Sequence, residues 1–251
     1  MRHGNETGAQ SLQDMRMGRG VRLMKDDRKD VFCSWSGGKE SALALHRAIG
    51  SGIAVTRLIN MVTEDGSHSR THGIEAALLL LQAKAIGIPL IQRKTTWDGY
   101  EEEFKKVLSG LCGEGISQGV FGDIDMEEHR AWVERVCAEC AVRPSLPLWL
   151  AKRDDLLAEF INSGFKAVIV AVDRNYLDET WIGREIDSTL VKDLQSLGDS
   201  VDICGERGEY HSFVYDGPIF RRPIQLEKGG VRSAPGYYFL DIGAYSIKET
   251  R

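Results

Sequence analysis

The sequence predicts a doubly wound parallel α/β sheet followed by a smaller α+β unit, on three observations. From residue 31, short apolar runs alternate with stretches of helical periodicity about a dozen residues long. That alternation is the mark of parallel strands joined by right-handed crossovers. A Gly-rich turn, SGGKES, lies between the first run and the first periodic stretch. Beyond residue 204 the pattern changes to two segments of strand-like alternation, GERGEYHSFVYDGPIF and YYFLDIGAYSIKE.

In order, VFCSW reads as the first strand, and ESALALHRAIG as a helix that stops at Gly50 and Gly52. IAVTRLINMV (53–62) is a second buried strand. The polar loop TEDGSHSRTHG leads to a helix over 74–86, closed by Gly87. IPLIQRK is the third strand, YEEEFKKVLSG the third helix, and GVFGDI a fourth strand ending at Ile124. A long helix is expected over 126–142, after which Pro144 and Pro147 require an extended segment. DDLLAEFINSG is a helix, FKAVIVAVD a buried strand and EIDSTLVKDLQSLG a further helix. The expected boundaries are a lead over 1–29, a first domain over 30–125, a second over 126–225 and a β extension over 226–251. No internal repeat or low-complexity tract interrupts them.

Composition removes several function classes. A chain of 251 residues with 42% hydrophobic and 27% charged residues has the balance of a soluble globular protein. Its net charge of -5 counts against avid nonspecific nucleic-acid binding. Five scattered cysteines, at 33, 112, 137, 140 and 204, suit a reducing cytoplasm better than a disulfide scaffold. No apolar run reaches the roughly 18 residues of a membrane span. Residues 1–29 are polar and lack an apolar core, so they read as a disordered lead and not as a secretory signal. Methionines at 15, 17 and 24 allow a later start.

The SGGKES turn carries the most chemistry. Backbone N–H groups at a helix N-terminus are unsatisfied and sit at the positive end of the helix dipole. Gly37 and Gly38 let an anion approach without Cβ obstruction. Ser36 and Ser41 offer hydroxyl donors, and Lys39 a mobile cation. The Walker pattern is excluded because Cys33 stands where its first Gly belongs and Glu40 follows Gly38-Lys39. The three spaced glycines of a dinucleotide site are also absent.

The stretch resembles the PP-loop of the N-type ATP pyrophosphatases, Ser-Gly-Gly-x-Asp-Ser, with Glu40 where that family usually has Asp. The resemblance implies a HUP-like fold, like that of adenine nucleotide alpha hydrolases, and cleavage of ATP between its α and β phosphates. GDI at 122–124, Arg130 and Glu134, PLW at 147–149, WIGREID at 181–187 and GERGEYHSFVYDGPIF at 205–220 are similar to the diphthine–ammonia ligase branch. That likeness covers residues 31 to 220. The last motif departs from the branch at Arg207, His211 and Ser212, which bears on the acceptor more than on the ATP chemistry.

The resemblance implies an ATP-binding first domain, a substrate-binding second domain, and AMP-forming activation of a carboxylate. The implied acceptor is diphthine on elongation factor 2, amidated by ammonium-derived ammonia. Ser36, Gly37, Gly38, Lys39 and Ser41 would hold the pyrophosphate. Glu40 is the candidate Mg²⁺ ligand, or else an acid complementing the helix dipole. Asn60 and Met61 lie where adenine would rest, with backbone groups to read its edge. His72 begins the next helix as a phosphate contact or a solvated histidine. Asp123 faces the crevice or caps the following helix.

Lys39, Glu206 and Glu209 are the candidate catalytic residues. Glu206, Glu209 and Asp216, with Tyr210, form an acidic set for ammonium or a trimethylammonium group, or an ordinary sheet edge. Cys137 and Cys140 read as helical filler, with a metal or redox pair as the alternative. Other readings keep the ATP half with a different acid or a tRNA base as acceptor, or make the chain a nucleotide-binding module without turnover.

Overall fold

The computed structural model describes residues 30–248, so the lead expected over 1–29 lies outside the described residues. β1 (Val31–Ser34) sends Val31 and Cys33 into one core and Phe32 into another, so it is covered on both faces, as a central parallel strand must be. Around it, β2 (Val55–Val62), β3 (Leu90–Lys94), β4 (Gln118–Val120) and β5 (Arg143–Ser145) form a parallel sheet in the order β3-β2-β1-β4-β5. α1 (Lys39–Gly50) and α2 (Ala76–Ile86) cover one face, while α3 (Tyr100–Gly113) and α4 (Glu127–Glu139) cover the other. Strand order reverses between β1 and β4, which opens a crevice at their carboxyl ends.

The first sheet does not stop near residue 125. The Pro144 segment is its fifth strand, paired with Gln118 to Val120. Proline has no N–H for a second neighbour, so it fits the sheet edge that β5 occupies. α4 is the crossover into it. This helix ends before residue 142 because Ala141 takes a φ of 55°. α2 starts after residue 74 because Gly73 is left-handed (φ 64°) and Glu75 has a non-helical ψ of 131°.

β6 (Lys166–Asp173), β7 (Tyr210–Asp216), β8 (Ile224–Ala234) and β9 (Tyr237–Ile247) form an antiparallel sheet, order β7-β6-β9-β8. α5 (Arg153–Asn162) and α6 (Ser188–Ser196) accompany it. Of the β extension expected over 226–251, the described residues lie mostly in β8 and β9, and β9 pairs with β6. Tyr237, Tyr238 and Phe239 supply the backbone partners of Asp173, Val172 and Ala171, whose groups would otherwise be unpaired. Leu78 and Leu79 of α2 share a core with Val168, Val170 and Phe213, and that packing brings β7 against the Gly-rich turn.

Candidate functional site

After β1 the chain turns through Gly37 and Gly38 into α1. Gly37 has φ 84°, and a Cβ there would lie 2.4 Å from Leu79 Cδ2. At Gly38 a Cβ would meet His72 Cε1 at 2.9 Å. Neither position admits a side chain, so bare backbone faces the crevice. The helix start leaves amides without helical acceptors. Gly38 N–H donates to Ser36 Oγ and Lys39 N–H to Ser212 Oγ, both at 3.2 Å. The Ser36 and Ser41 hydroxyls are 3.2 Å apart, and Ser41 Oγ donates to the Gly38 carbonyl.

The second sheet supplies the other half of this cradle. Val214 N–H donates to the Gly37 carbonyl at 2.9 Å. Gln82 Nε2 donates to that carbonyl at 3.0 Å and to Val214 O at 2.6 Å, while Gln82 Oε1 accepts from Trp35 Nε1. Gln82 is fully buried and is a lone uncharged polar residue in the apolar helix AALLLLQAKAI. That isolation is the sequence signal that could have found it.

Lys39 is not the mobile cation the motif suggests. It is 5% exposed, its Nζ donates to the Cys204 carbonyl at 2.6 Å, pairs with Glu40 at 2.6 Å, and lies 4.4 Å from the centre of the Tyr210 ring. Burial opposes the ammonium charge, but Glu40, Tyr210 and Cys204 outweigh it and hold the pKa above its ordinary range. The lysine therefore ties the turn to the second sheet while still lining the cleft.

That cleft, of about 480 Å³, is bordered by Ser36, Lys39, Glu40, Ser41, His72, Asp123, His129, Glu206 and His211, among others. Glu206 is pushed up to about 8, by burial first and then by the negative charge of Glu40, against the pull of Lys39. Glu209 does not join it. Its fully buried carboxylate accepts from the Asp202 and Arg207 amides at 2.9 and 3.0 Å and from Arg207 Nε at 3.1 Å. This group shapes the loop that presents Glu206. Asp216 caps Gly217 N–H and faces Lys166 at 3.9 Å, so the acidic set expected of Glu206, Glu209 and Asp216 does not converge.

Asp123 stands on the cleft wall with His129 Nδ1 at 3.5 Å, and its hydrogen bond raises the His129 pKa. The N-cap of α4 is Met126, not Asp123. His72 lies in the turn before α2, with its ring stacked on His211 at 4.4 Å. Burial holds both imidazoles below their ordinary range, His211 at about 4, with Lys39 adding to the effect. His72 Nδ1 is buried without a hydrogen-bond partner.

Asn60 and Met61 border a side pocket of about 50 Å³ together with Ser34, Ser36 and Tyr100. The backbone expected to read adenine there is engaged, since Met61 O accepts from Arg70 N–H and Val62 O from Thr95 N–H. Asn60 Nδ2 donates to Trp35 O, which leaves a buried, unpartnered Oδ1. Arg130 pairs with Glu134 at 2.7 Å and lies over the Trp149 ring at 5.0 Å, which joins two distant motifs. The WIGREID segment does not border the cleft. Cys137 is buried in the core of α4 and its thiol is pushed up to about 12 by burial, unlike a reactive thiolate.

A parallel sheet with a Gly-rich helix start at its switch point, roofed by a second sheet, is the layout of the α/β proteins that hold phosphate groups at a helix N-terminus. The model of the diphthamide synthase N-terminal domain matches residues 29–144, and that of the diphthamide synthase C-terminal domain residues 152–251. The chain belongs to the diphthamide synthase family. Their junction falls after β5, where the first sheet ends. Among curated relatives, the diphthine–ammonia ligase of Danio rerio is 29% identical over 220 residues, 76% of this chain and 84% of that protein. That of Homo sapiens is 30% identical over 226 residues, 78% and 82% of the two chains. A solved structure, a predicted subunit of tRNA methyltransferase from Methanocaldococcus jannaschii, has a TM-score of 0.41 at 15% identity, covering 75% of this chain and 99% of that one. It is too distant a likeness to bear on function.

Proposed function

We propose that this chain is a diphthine–ammonia ligase that uses ATP to convert the diphthine carboxylate of elongation factor 2 into its amide. One observation carries the reading: a chain matched by both domains of this family keeps a Gly-Gly-Lys-x-Ser cradle at the switch point, facing Glu206 across one cleft. A carboxylate has no leaving group for ammonia to displace. Its attack on the α-phosphorus of ATP forms an acyl-adenylate and expels pyrophosphate. The leaving charge falls on the amides of α1 and the hydroxyls of Ser36 and Ser41, with Lys39 as the nearby cation. Ammonia then forms the C–N bond as the C–O bond to AMP breaks. Glu206, on the wall of the same cleft, is the carboxylate that accepts the released proton.

Mg²⁺ fits this cleft. Among the described residues no three His, Cys, Asp or Glu side chains form a metal cage. This ion, however, is commonly held by one or two carboxylates plus phosphate oxygens. Glu40, on the cleft wall beside the Gly-rich turn, would supply the carboxylate. Held there, the ion would supply positive charge against the leaving pyrophosphate. The reaction is assigned to the cytoplasm. All five cysteines are free thiols, and no helix among the described residues is long and apolar enough to cross a membrane.

The test is incubation with ATP, Mg²⁺ and ammonium, with and without elongation factor 2 carrying diphthine. AMP and pyrophosphate formed only with the factor support the reading. ATP binding with neither product contradicts it. A different carboxylic acid is the second reading, favoured by one observation: His211 and Ser212, where the branch motif differs, form the wall of the cradle itself.

A further inference from the structure

A second cavity, of about 320 Å³, lies between the start of α2 and the β8–β9 hairpin. His68, Glu75, Arg232, Phe239 and Asp241 border it, and His72 is shared between this cavity and the ATP cleft. The partition is thin. His72 stacks on His211, which borders the cleft, with ring centres 4.4 Å apart and planes 23° from parallel. Two carboxylates face the outer cavity. Glu75 takes a hydrogen bond from Tyr245 at 3.0 Å, and Asp241 meets Arg232 Nε at 3.4 Å. The Arg232 guanidinium also lies 4.8 Å from the Phe239 ring centre, which places a cation on that aromatic face. The carboxylates outnumber the guanidinium, so the cavity favours a small cation.

The geometry points to this outer cavity as the ammonium entry site, with the His72–His211 pair passing the nitrogen to the ATP cleft as neutral ammonia. This rests on the ligase reading. A macromolecular acceptor must cover the mouth of the ATP cleft to bring its carboxylate to the α-phosphate, and the second opening then remains free. Ammonium concentrates at Glu75 and Asp241 and gives up one proton to solvent in that cavity. Ammonia keeps its lone pair, moves past the two rings and attacks the acyl carbon. AMP leaves, and the second proton is lost inside the cleft. Both rings are held neutral by burial and by Lys39, so neither adds a charge that would trap the nucleophile. The unpartnered His72 Nδ1 is an acceptor for a passing N–H.

Two measurements on the full chain test this. In the first, histidine side-chain ¹⁵N spectra are followed during titration with ammonium chloride against sodium chloride at equal ionic strength, and against tetramethylammonium chloride. Saturable shifts of His72 and His211 with ammonium alone are expected, weakened in Glu75→Gln and Asp241→Asn, whose exposed sites tolerate the change. In the second, the same variants raise the ammonium KM about fivefold, the size of one lost charge contact, with the ATP KM within about twofold. An unchanged ammonium KM in a working enzyme overturns the proposal whatever the spectra show. If no AMP forms under any condition, the ligase reading fails, and the spectra alone decide whether the cavity binds ammonium. Shifts with tetramethylammonium but not ammonium would make it a quaternary-ammonium pocket and overturn the route.

Discussion

The turn from β1 into α1 and the loop from Cys204 to Ser212 face each other across one cleft, but they are built in opposite ways. The first is local: two glycines, a helix start and short hydroxyls lie within six residues, and bare backbone faces the cleft. The second is held from within by a single buried carboxylate, Glu209, which gathers two amides and a guanidinium so that Glu206 points outward. Lys39 joins them through the Cys204 carbonyl. One half presents a cradle by sequence pattern alone, and the other presents an acid only because the fold has paired its neighbour.

Breaking the join gives the largest expected effect. Lys39→Met leaves Glu40 and the Cys204 carbonyl without their cation and removes positive charge beside the leaving group. AMP formation is expected to fall about 10²- to 10³-fold, measured at saturating ATP. Glu209→Gln comes next. A carboxamide cannot accept at all three positions with the same charge, so stability should drop by about 2–3 kcal/mol in urea titrations.

Glu206→Gln sharpens the contrast, because its effect on stability has the opposite sign. The Glu206 carboxyl is raised in the folded state from 4.5 to about 8, so the folded chain holds a proton that the unfolded chain releases. Stability therefore falls as pH climbs from about 4.5 through 8. The glutamine variant should match the parent near pH 4 and be the more stable of the two above pH 8, while losing activity. Parallel pH–stability curves for the two proteins would remove Glu206 from the account. The smallest effect belongs to Ser212→Ala, which frees the Lys39 amide and should cost about 1 kcal/mol with turnover retained.

The same contrast explains how much could be read in advance. The β1–α1 junction and the alternation of strands and helices are local patterns, and they lead directly to the parallel sheet. The fifth strand of the first sheet is hidden because Pro144 reads as a breaker, although an edge strand has room for a residue without an N–H. Glu206 and Glu209 are indistinguishable as letters, and only the amides of Asp202 and Arg207 separate a loop anchor from a cleft acid. Lys39 reads as a phosphate-seeking cation because its partners, Cys204 and Tyr210, lie more than 160 residues away. Ser212 and His211 were visible only as departures from a motif, and their contact with the cradle is tertiary.

The central step of the proposed reaction is α–β cleavage of ATP by attack of a carboxylate. The most direct measurement labels both carboxylate oxygens of the diphthine on elongation factor 2 with ¹⁸O and follows the nucleotide product by mass spectrometry. AMP carrying one ¹⁸O atom in its phosphate, formed together with pyrophosphate, is the predicted result. Formation of ADP, or of AMP without label, would contradict it.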